Sequence, residues 1–419
     1  MSHFQTPVKP LVLAIALASS QAYGTTCTQD FNVTSQAELD AALSSIIACG
    51  STANPYAVSL ADSLSGSSVI ISDSIVLNTI ELEISGPVAA DVTLKLTESP
   101  TQAESHVANI RIIESGQLTL KDLILDGDSS AEVDDYRVTA LLHLESGKLD
   151  LDNVLLQNYY SHDDGAILSS GTTTITDSTF QGITSDDPGS IISVDSGSLI
   201  IEDSIFDGNH VGDSAGVIAV FESAILTITD SEFTNNSTDN HGGVLYAENS
   251  TVNIDGSTFS NNSSTRSIGK GGALYIEQSS LVINDSVFTG NKASNNLDGE
   301  GGAIYIYDQS GTELTRTISK SSFINNTATN GGAISVLGDN SGIAGNLNIT
   351  DTLFEGNTAS NSEVGSGGAI DLHTENSNGL TVTIDRSLFH NNDADDHAGA
   401  INFEDSVGST DVFISETKL

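Results

Sequence analysis

The sequence has no tryptophan, only two cysteines, only six prolines and only 13 basic residues among 419. Most of these shortages exclude something. Thirteen Lys and Arg against 56 Asp and Glu leave a formal charge of −43. Such a field repels phosphate backbones and anionic head groups, which argues against nucleic acid and membrane-surface partners. Lys, Arg and Met are strong helix formers, so their scarcity leaves little material for a helical architecture. Beyond residue 24 no apolar run approaches the ~18 residues that span a bilayer as a helix, and no integral span is expected.

What is present points to short strands and many turns. Gly numbers 38, Ser, Thr, Asn and Asp are abundant, and charged residues are 16% of the chain. Hydrophobic residues at 38%, with mean hydropathy near zero, are enough for a packed core. A chain of this length exceeds an ordinary single-core globule, so it should be several domains or a one-dimensional repeat array.

The first 24 residues, MSHFQTPVKPLVLAIALASSQAYG, carry a basic Lys9, an apolar run from Leu11 to Ala18, and small Ser20 and Ala22. That order is expected of a secretory signal peptide over 1–24, which places the rest outside the cell or on the outer membrane surface. An oxidising compartment permits a disulfide between Cys27 and Cys49. Between them, FNVTSQAELDAALSSIIACG shows a capping box, Ser35 with Glu38, and apolar Leu39, Leu43, Ile46 and Ile47 at helical spacing. A cap over 25–60, one helix pinned by the disulfide, is expected to cover the open end of whatever occupies 61–419.

That remainder repeats, regularly from about residue 152. Phe180, Phe206, Phe233, Phe259, Phe288, Phe323, Phe354 and Phe389 recur at steps of about 25 to 35 residues. Leu155 and Leu125 take the same slot upstream. An Asn follows three residues later at Asn158, Asn209, Asn236, Asn262, Asn291, Asn326, Asn357 and Asn392, with Ile183 breaking the series. Between these landmarks lies a glycine phrase, and two residues after its last glycine stand Ile167, Ile191, Ile218, Leu245, Leu274, Ile304, Ile334, Ile370 and Ile401. Alternating runs such as LTITDSEF and LVINDSVF complete each unit, and within them a turn Asp precedes the Phe at Asp152, Asp177, Asp203, Asp230, Asp285 and Asp351. Short strands and Gly/Asn turns without helix make one coil of a parallel β-solenoid, all-β and of about 12 coils. Phe and Ile should stack inside, Asn should form a ladder, and the sequons at Asn236 and Asn262 then fall on structure. The final VFISETKL aligns with VTIDRSLF, so Leu419 takes the Phe slot in mid-coil. A continuation of the chain, or another molecule, is expected to cover that end.

The alternation of GGAI (301–304, 331–334, 367–370), GGAL and GGVL with FTNN, FSNN, FTGN, FINN, FEGN and FHNN resembles the polymorphic outer membrane proteins of the chlamydial type. The resemblance covers roughly residues 152–405. It implies a right-handed parallel β-helix passenger with an adhesive role at the cell surface. Family members carry a C-terminal autotransporter barrel, and no barrel segment is present in this sequence. Similar repeats occur in pectate-lyase-like enzymes.

Three constellations could carry chemistry. Tyr246, Tyr275 and Tyr305 fall one residue beyond the inward Leu or Ile of successive coils, with Tyr307 nearby and Glu248 and Glu277 beside them. Facing outward, they would make a flat platform for sugar rings or a partner protein, although strand propensity alone also favours Tyr there. Acidic turns precede the glycines at Asp163, Asp164, Asp186, Asp187, Asp213, Asp239, Asp298, Glu300, Asp395 and Asp396. Of these, Asp186, Asp187 and Asp213 are the candidate Ca²⁺ ligands, against an ordinary turn role; no other cofactor is expected. His162, His210 and His241 lie in or beside those turns. Asp163, Asp164, Asp186, Asp187 and His241 are thus the acid/base candidates of an alternative polygalacturonase-like or pectate-lyase-like enzyme, for which Arg266 and Lys270 are the nearby bases. Longer segments at Asp308–Thr317, Gly338–Gly345 and Thr374–Gly379 should project from one face. The leading expectation is a secreted or surface-displayed, non-catalytic adhesin or structural passenger that meets a glycan or a cell-surface protein.

Overall fold

The computed structural model describes residues 27–419 except 51–54, 73, 89–90, 98–107, 130–139, 162–164, 186–188, 213–215, 267, 295–298, 309–313, 340–344, 362–364, 376–377 and 406–408. The expected signal peptide, together with His162, Asp163, Asp164, Asp186, Asp187, Asp213 and Asp298, lies outside the described residues.

The chain is a parallel β-helix of about 11 turns. One coil shows the plan. Leu245–Glu248 runs along a twelve-stranded sheet; Thr251–Asp255 and then Thr258–Ser260 run along a long sheet, and Ser263–Ser264 along a nine-stranded one. Each strand pairs in parallel with its counterpart one coil away, so Phe259 sits opposite Phe233 and Phe288, and Tyr246 opposite Tyr275. Alternation along each strand sends Val252, Ile254 and Phe259 inside, where all are buried.

The interior is built as columns. From Phe180 to Phe389 the rings stack with centroids 4.6 to 5.0 Å apart and planes within 14° of parallel. The spacing follows from the ~4.8 Å separation of neighbouring strands. The Asn ladder is equally regular. Asn262 Nδ2 donates to Phe233 O at 2.9 Å and to Asn291 Oδ1 at 3.0 Å, while its backbone N–H donates to the same Oδ1 at 3.0 Å. Asn236 and Asn262 are 0% exposed, as expected for structural rather than glycosylated positions.

Upstream, the register differs by one residue from the sequence alignment. Leu156, not Leu155, pairs with Leu125 and Phe180. Ile192, not Ile191, pairs with Ile167 and Ile218. The slot three beyond Leu156 is therefore the buried Tyr159, and the ladder begins at Asn209, whose Oδ1 accepts from Ile183 N at 3.0 Å. Asn158 lies instead in a corner column of left-handed residues, φ 52°, alongside Gly182, Gly208, Asn235, Asn261, Gly290, Asn325, Gly356 and Asn391. A second left-handed column lies three residues before the Phe slot. It holds Asp177, Asp203, Asp230, Gly256, Asp285 and Asp351, with Asn153 in the place expected for Asp152. Short polar side chains and Gly adopt that conformation most readily, and Lys320 and Arg386 take it in the same column.

The two glycines of each pair differ in backbone conformation. Gly301 has φ 65° and Gly302 does not take that conformation, but neither has room for a side chain: a Cβ would lie 2.1 Å from Ile304 O at the first and 2.0 Å from Gly332 O at the second.

At the N-terminal end the helix Gln36–Cys49 buries Leu39, Ala42, Leu43 and Ile46 against the first coil, and Cys27 is bonded to Cys49. Ser35 is the N-cap without a side-chain bond; Glu38 turns back one residue further and accepts from Thr34 N at 2.7 Å and Thr34 Oγ1 at 2.8 Å. The Gln36 amide bonds both Ile70 O and Ile70 N, at 2.8 and 2.7 Å, occupying backbone groups that an open edge would present. At the other end Val382, Thr383 and Ile384 pair with Val412, Phe413 and Ile414, the register expected from VFISETKL. Among the described residues no helix is long and apolar enough to cross a membrane.

One interior column breaks its aliphatic pattern. Arg316 occupies the position of Leu281 and Leu347 in neighbouring coils, 1% exposed, and grips Asp308 through two bonds of 2.6 and 2.5 Å. Its Nε donates to Ser279 O at 3.1 Å. Of the segment expected to project at Asp308–Thr317, Asp308 and Arg316 are strand residues turned inward, and 309–313 lie outside the described residues.

Candidate functional site

The outer face of the twelve-stranded sheet presents three columns of side chains, in rows set by strand pairing. The first runs through the bridges Lys270, Glu300, Asn330, Ser366 and His397. In the second, Tyr246, Tyr275, Tyr305, Ser335, Asp371 and Asn402 pair in turn. The third holds Glu248, Glu277, Tyr307, Leu337, His373 and Glu404. A groove of about 390 Å³ opens where the first rows meet, lined by His241, Ile268, Lys270, Tyr275, Glu300, Tyr305, Tyr307 and Leu337.

The tyrosines stack as the sequence suggested, but not as an exposed platform. Tyr246 and Tyr275 lie 4.9 Å apart and 6° from parallel, and Tyr275 and Tyr305 lie 5.2 Å apart. Tyr275 is 7% and Tyr305 1% exposed. They form a floor, because the side chains of the first column fold over them: the His241 ring stacks on Tyr275 at 4.8 Å, and Lys270 Nζ stands 4.5 Å from the Tyr305 centroid. Only Tyr246 and Tyr307 keep partly exposed rings.

The polar groups form two clusters around that floor. Lys270 Nζ donates to Tyr305 Oη at 3.1 Å and to Glu300 Oε1 at 3.2 Å. Tyr246 Oη donates to Glu277 Oε2 at 3.0 Å and lies 3.4 Å from Glu248 Oε2. Lys270 N donates to His241 Nδ1 at 3.3 Å, which fixes that nitrogen as an acceptor and places the ring proton on Nε2. Burial, reinforced by the Lys270 charge, lowers the His241 pKa to about 4. Burial raises the Glu277 pKa above its ordinary value, and it holds the three tyrosine hydroxyls firmly protonated, helped by the neighbouring glutamates. Two rows beyond Tyr305, burial takes Asp371 up to about 6, against the pull of the Asn402 amide at 2.8 Å.

Of the sequence-level candidates, His241, Tyr275 and Tyr305 line this groove, and Tyr246 stacks on Tyr275 beside it. His210 does not; it lies in the nine-stranded sheet with Nδ1 2.9 Å from Ser237 Oγ. Among the described residues no group of three His, Cys, Asp or Glu is placed to hold a metal ion, and the proposed Ca²⁺ ligands Asp186, Asp187 and Asp213 lie outside them. Asp371 escaped sequence reasoning, and Lys270 and Glu300 were named only as a possible lyase base and an acidic turn residue, not as partners of the tyrosines. The signal that could have joined those two is the residue immediately before each glycine pair, which aligns His241, Lys270, Glu300 and Asn330 as neatly as the glycines themselves.

Residues 140–346 match the family model described as the right handed beta helix region. No curated protein matches the chain. Among solved structures, the chain is similar to the catalytic unit of a thermostable GH87 alpha-1,3-glucanase from Streptomyces thermodiastaticus, at 12% identity, covering 93% of this chain and 67% of that one, TM-score 0.48. It is also similar to the A-module of a mannuronan C-5 epimerase from Azotobacter vinelandii, at 11% identity over 94% and 97%, TM-score 0.42, and to a PL6 alginate lyase in complex with a trisaccharide, at 10% over 86% of each, TM-score 0.41. These likenesses are of fold alone. None of the three is a polymorphic outer membrane protein.

Proposed function

We propose that this protein is a polysaccharide-binding β-helix of the cell exterior, and that a glycan chain lies in the groove of the twelve-stranded sheet. The observation that supports this reading is the floor of stacked tyrosines edged by two hydrogen-bonded clusters, Lys270 with Glu300 and Tyr305, and Tyr246 with Glu277. Aromatic faces accept the apolar faces of sugar rings, and polar groups around them bond the hydroxyls. The exterior location rests on the N-terminal sequence, and adhesive display on the resemblance of the repeats; glycan attachment is the form of adhesion the groove favours.

A second reading, turnover of the bound polysaccharide, is favoured by one specific feature. Asp371, whose pKa burial raises to about 6, lies in the tyrosine column two rows beyond Tyr305, so a carboxyl able to give and take a proton stands along the ligand path. Both readings are tested together. The purified protein is titrated with a polysaccharide panel that includes α-glucan and alginate, while new reducing ends and unsaturated-uronate absorbance are followed. Binding weakened about tenfold by Tyr246→Ala, without product, supports the binding reading; product formation abolished by Asp371→Asn supports turnover. Absence of binding to every polysaccharide refutes both.

A further inference from the structure

We infer that the groove selects an uncharged glycan and rejects uronate and sulfated polymers. This rests on the glycan-binding reading and names the ligand class it leaves open. Lys270 is the sole Lys or Arg among the residues that line the groove, and its charge is already committed to Glu300 at 3.2 Å while a second N–H bonds Tyr305. His241 adds no charge: it accepts from the backbone through Nδ1 and is buried against Tyr275. Beside the floor stand Glu248 and Glu277, both partly exposed and both turned to Tyr246.

The surrounding sequence is acidic on balance. From residue 266 to residue 316 the chain holds four basic residues, Arg266, Lys270, Lys292 and Arg316, against Glu277, Asp285, Asp298, Glu300, Asp308 and Glu313. Lys292 belongs to the nine-stranded sheet, and Arg316 is buried on Asp308. A carboxylate or sulfate in the groove would lie within roughly one Debye length, ~8 Å at physiological salt, of several glutamates. It would meet like charge, while the one cation lining the groove is already bound to Glu300. A neutral sugar meets the opposite condition. Carboxylates that accept from vicinal hydroxyls make charge-assisted bonds, stronger than neutral ones, and they carry no penalty when the ligand is uncharged.

The sign of one substitution separates the two ligand classes. Binding of neutral polymers (α-glucan, β-glucan and galactomannan) is compared with that of alginate, polygalacturonate and a chondroitin sulfate, each in EDTA and in excess calcium, for the wild type, Glu277→Gln and Glu248→Gln. At least one neutral polymer is expected to bind tenfold or more tighter than any anionic one in both buffers. Glu277→Gln should weaken that binding about tenfold, and the more peripheral Glu248→Gln should act in the same direction to a smaller extent, with unchanged circular dichroism. An anionic polymer that binds as tightly as the neutral ones, in either buffer, overturns the inference while leaving the glycan-binding reading intact. So does a gain of affinity on neutralising Glu277 or Glu248. If no polymer of either kind binds, the inference falls together with the reading beneath it.

Discussion

The Asn ladder allows a demanding test, because every bond of its central members is accounted for. Asn291 Oδ1 accepts from Asn262 N and Asn262 Nδ2, both at 3.0 Å, and its Nδ2 donates to Phe259 O at 2.9 Å and Asn326 Oδ1 at 3.0 Å. All of this lies where exposure is 0%. Asn291→Ala strips the acceptor from two N–H bonds of Asn262 and the side-chain donor from Phe259 O. Each orphaned buried group costs about 1–3 kcal/mol, so the two N–H groups alone predict a loss of roughly 2–6 kcal/mol. Asn392, one end of the same ladder, is partly exposed, and there water can replace what Asn392→Ala removes, limiting the loss to about 1 kcal/mol. Solenoids need not unfold in one step, so urea unfolding should be accompanied by amide exchange read at Asn262, where protection should collapse in Asn291→Ala. If Asn291→Ala proves no more damaging than Asn392→Ala and the Asn262 amide stays protected, the ladder reasoning is wrong.

Three further outcomes follow from the buried ionisable groups. Arg316→Leu, which leaves Asp308 charged and alone, should destabilise by about 3–5 kcal/mol, whereas Asp308→Ala with Arg316→Leu should recover much of that loss in chemical denaturation. Asp371 has a folded pKa raised to about 6, so the stability it contributes is complete below its unfolded value near 4 and is lost as pH rises through 6. Asp371→Asn should therefore melt higher than the wild type above pH ~6 and converge with it near pH ~4, seen as melting temperature against pH. For His241 the sign reverses: with its pKa lowered to about 4, stability is complete above the unfolded value and declines as pH falls through 4. Its imidazole resonances should remain those of the neutral ring at pH 5.5, roughly a unit below where an ordinary histidine titrates; a half-titration near 6.5 would contradict its burial.

The architecture was legible where the repeat carries large or chemically distinctive residues. Eight phenylalanines and seven ladder asparagines fixed coil boundaries, because stacking demands identity at intervals that no helix would produce. Upstream the same slots hold Leu125 and Leu156, interchangeable with any aliphatic neighbour. With Leu155 and Leu156 adjacent, only the left-handed corners at Asn153 and Asn158 decide the register. Those corners are written in a mixed alphabet of Asn, Asp, Gly and even Lys320 and Arg386, so they are nearly invisible as a pattern. The tyrosine column was legible because it sits beside the inward Leu and Ile; its burial was not, since the covering side chains His241 and Lys270 come from bridges between coils. The Arg316–Asp308 pair was hidden for a similar reason: alternation in a short strand does not announce that a charge has been turned inward.

The contacts that tie the groove together cross from one coil to the next: His241 to Tyr275, Lys270 to Glu300 and Tyr305, Tyr246 to Glu277. Coils, by contrast, are nearly interchangeable as building blocks. Deletion or duplication of one whole unit in this region would leave the stacking of phenylalanines and asparagines satisfied, yet it would bring together side chains that have never been neighbours. Heritable change in the number of coils would therefore preserve the scaffold while replacing its recognition surface in a single step. A lineage of such proteins would vary its ligands through length as readily as through substitution.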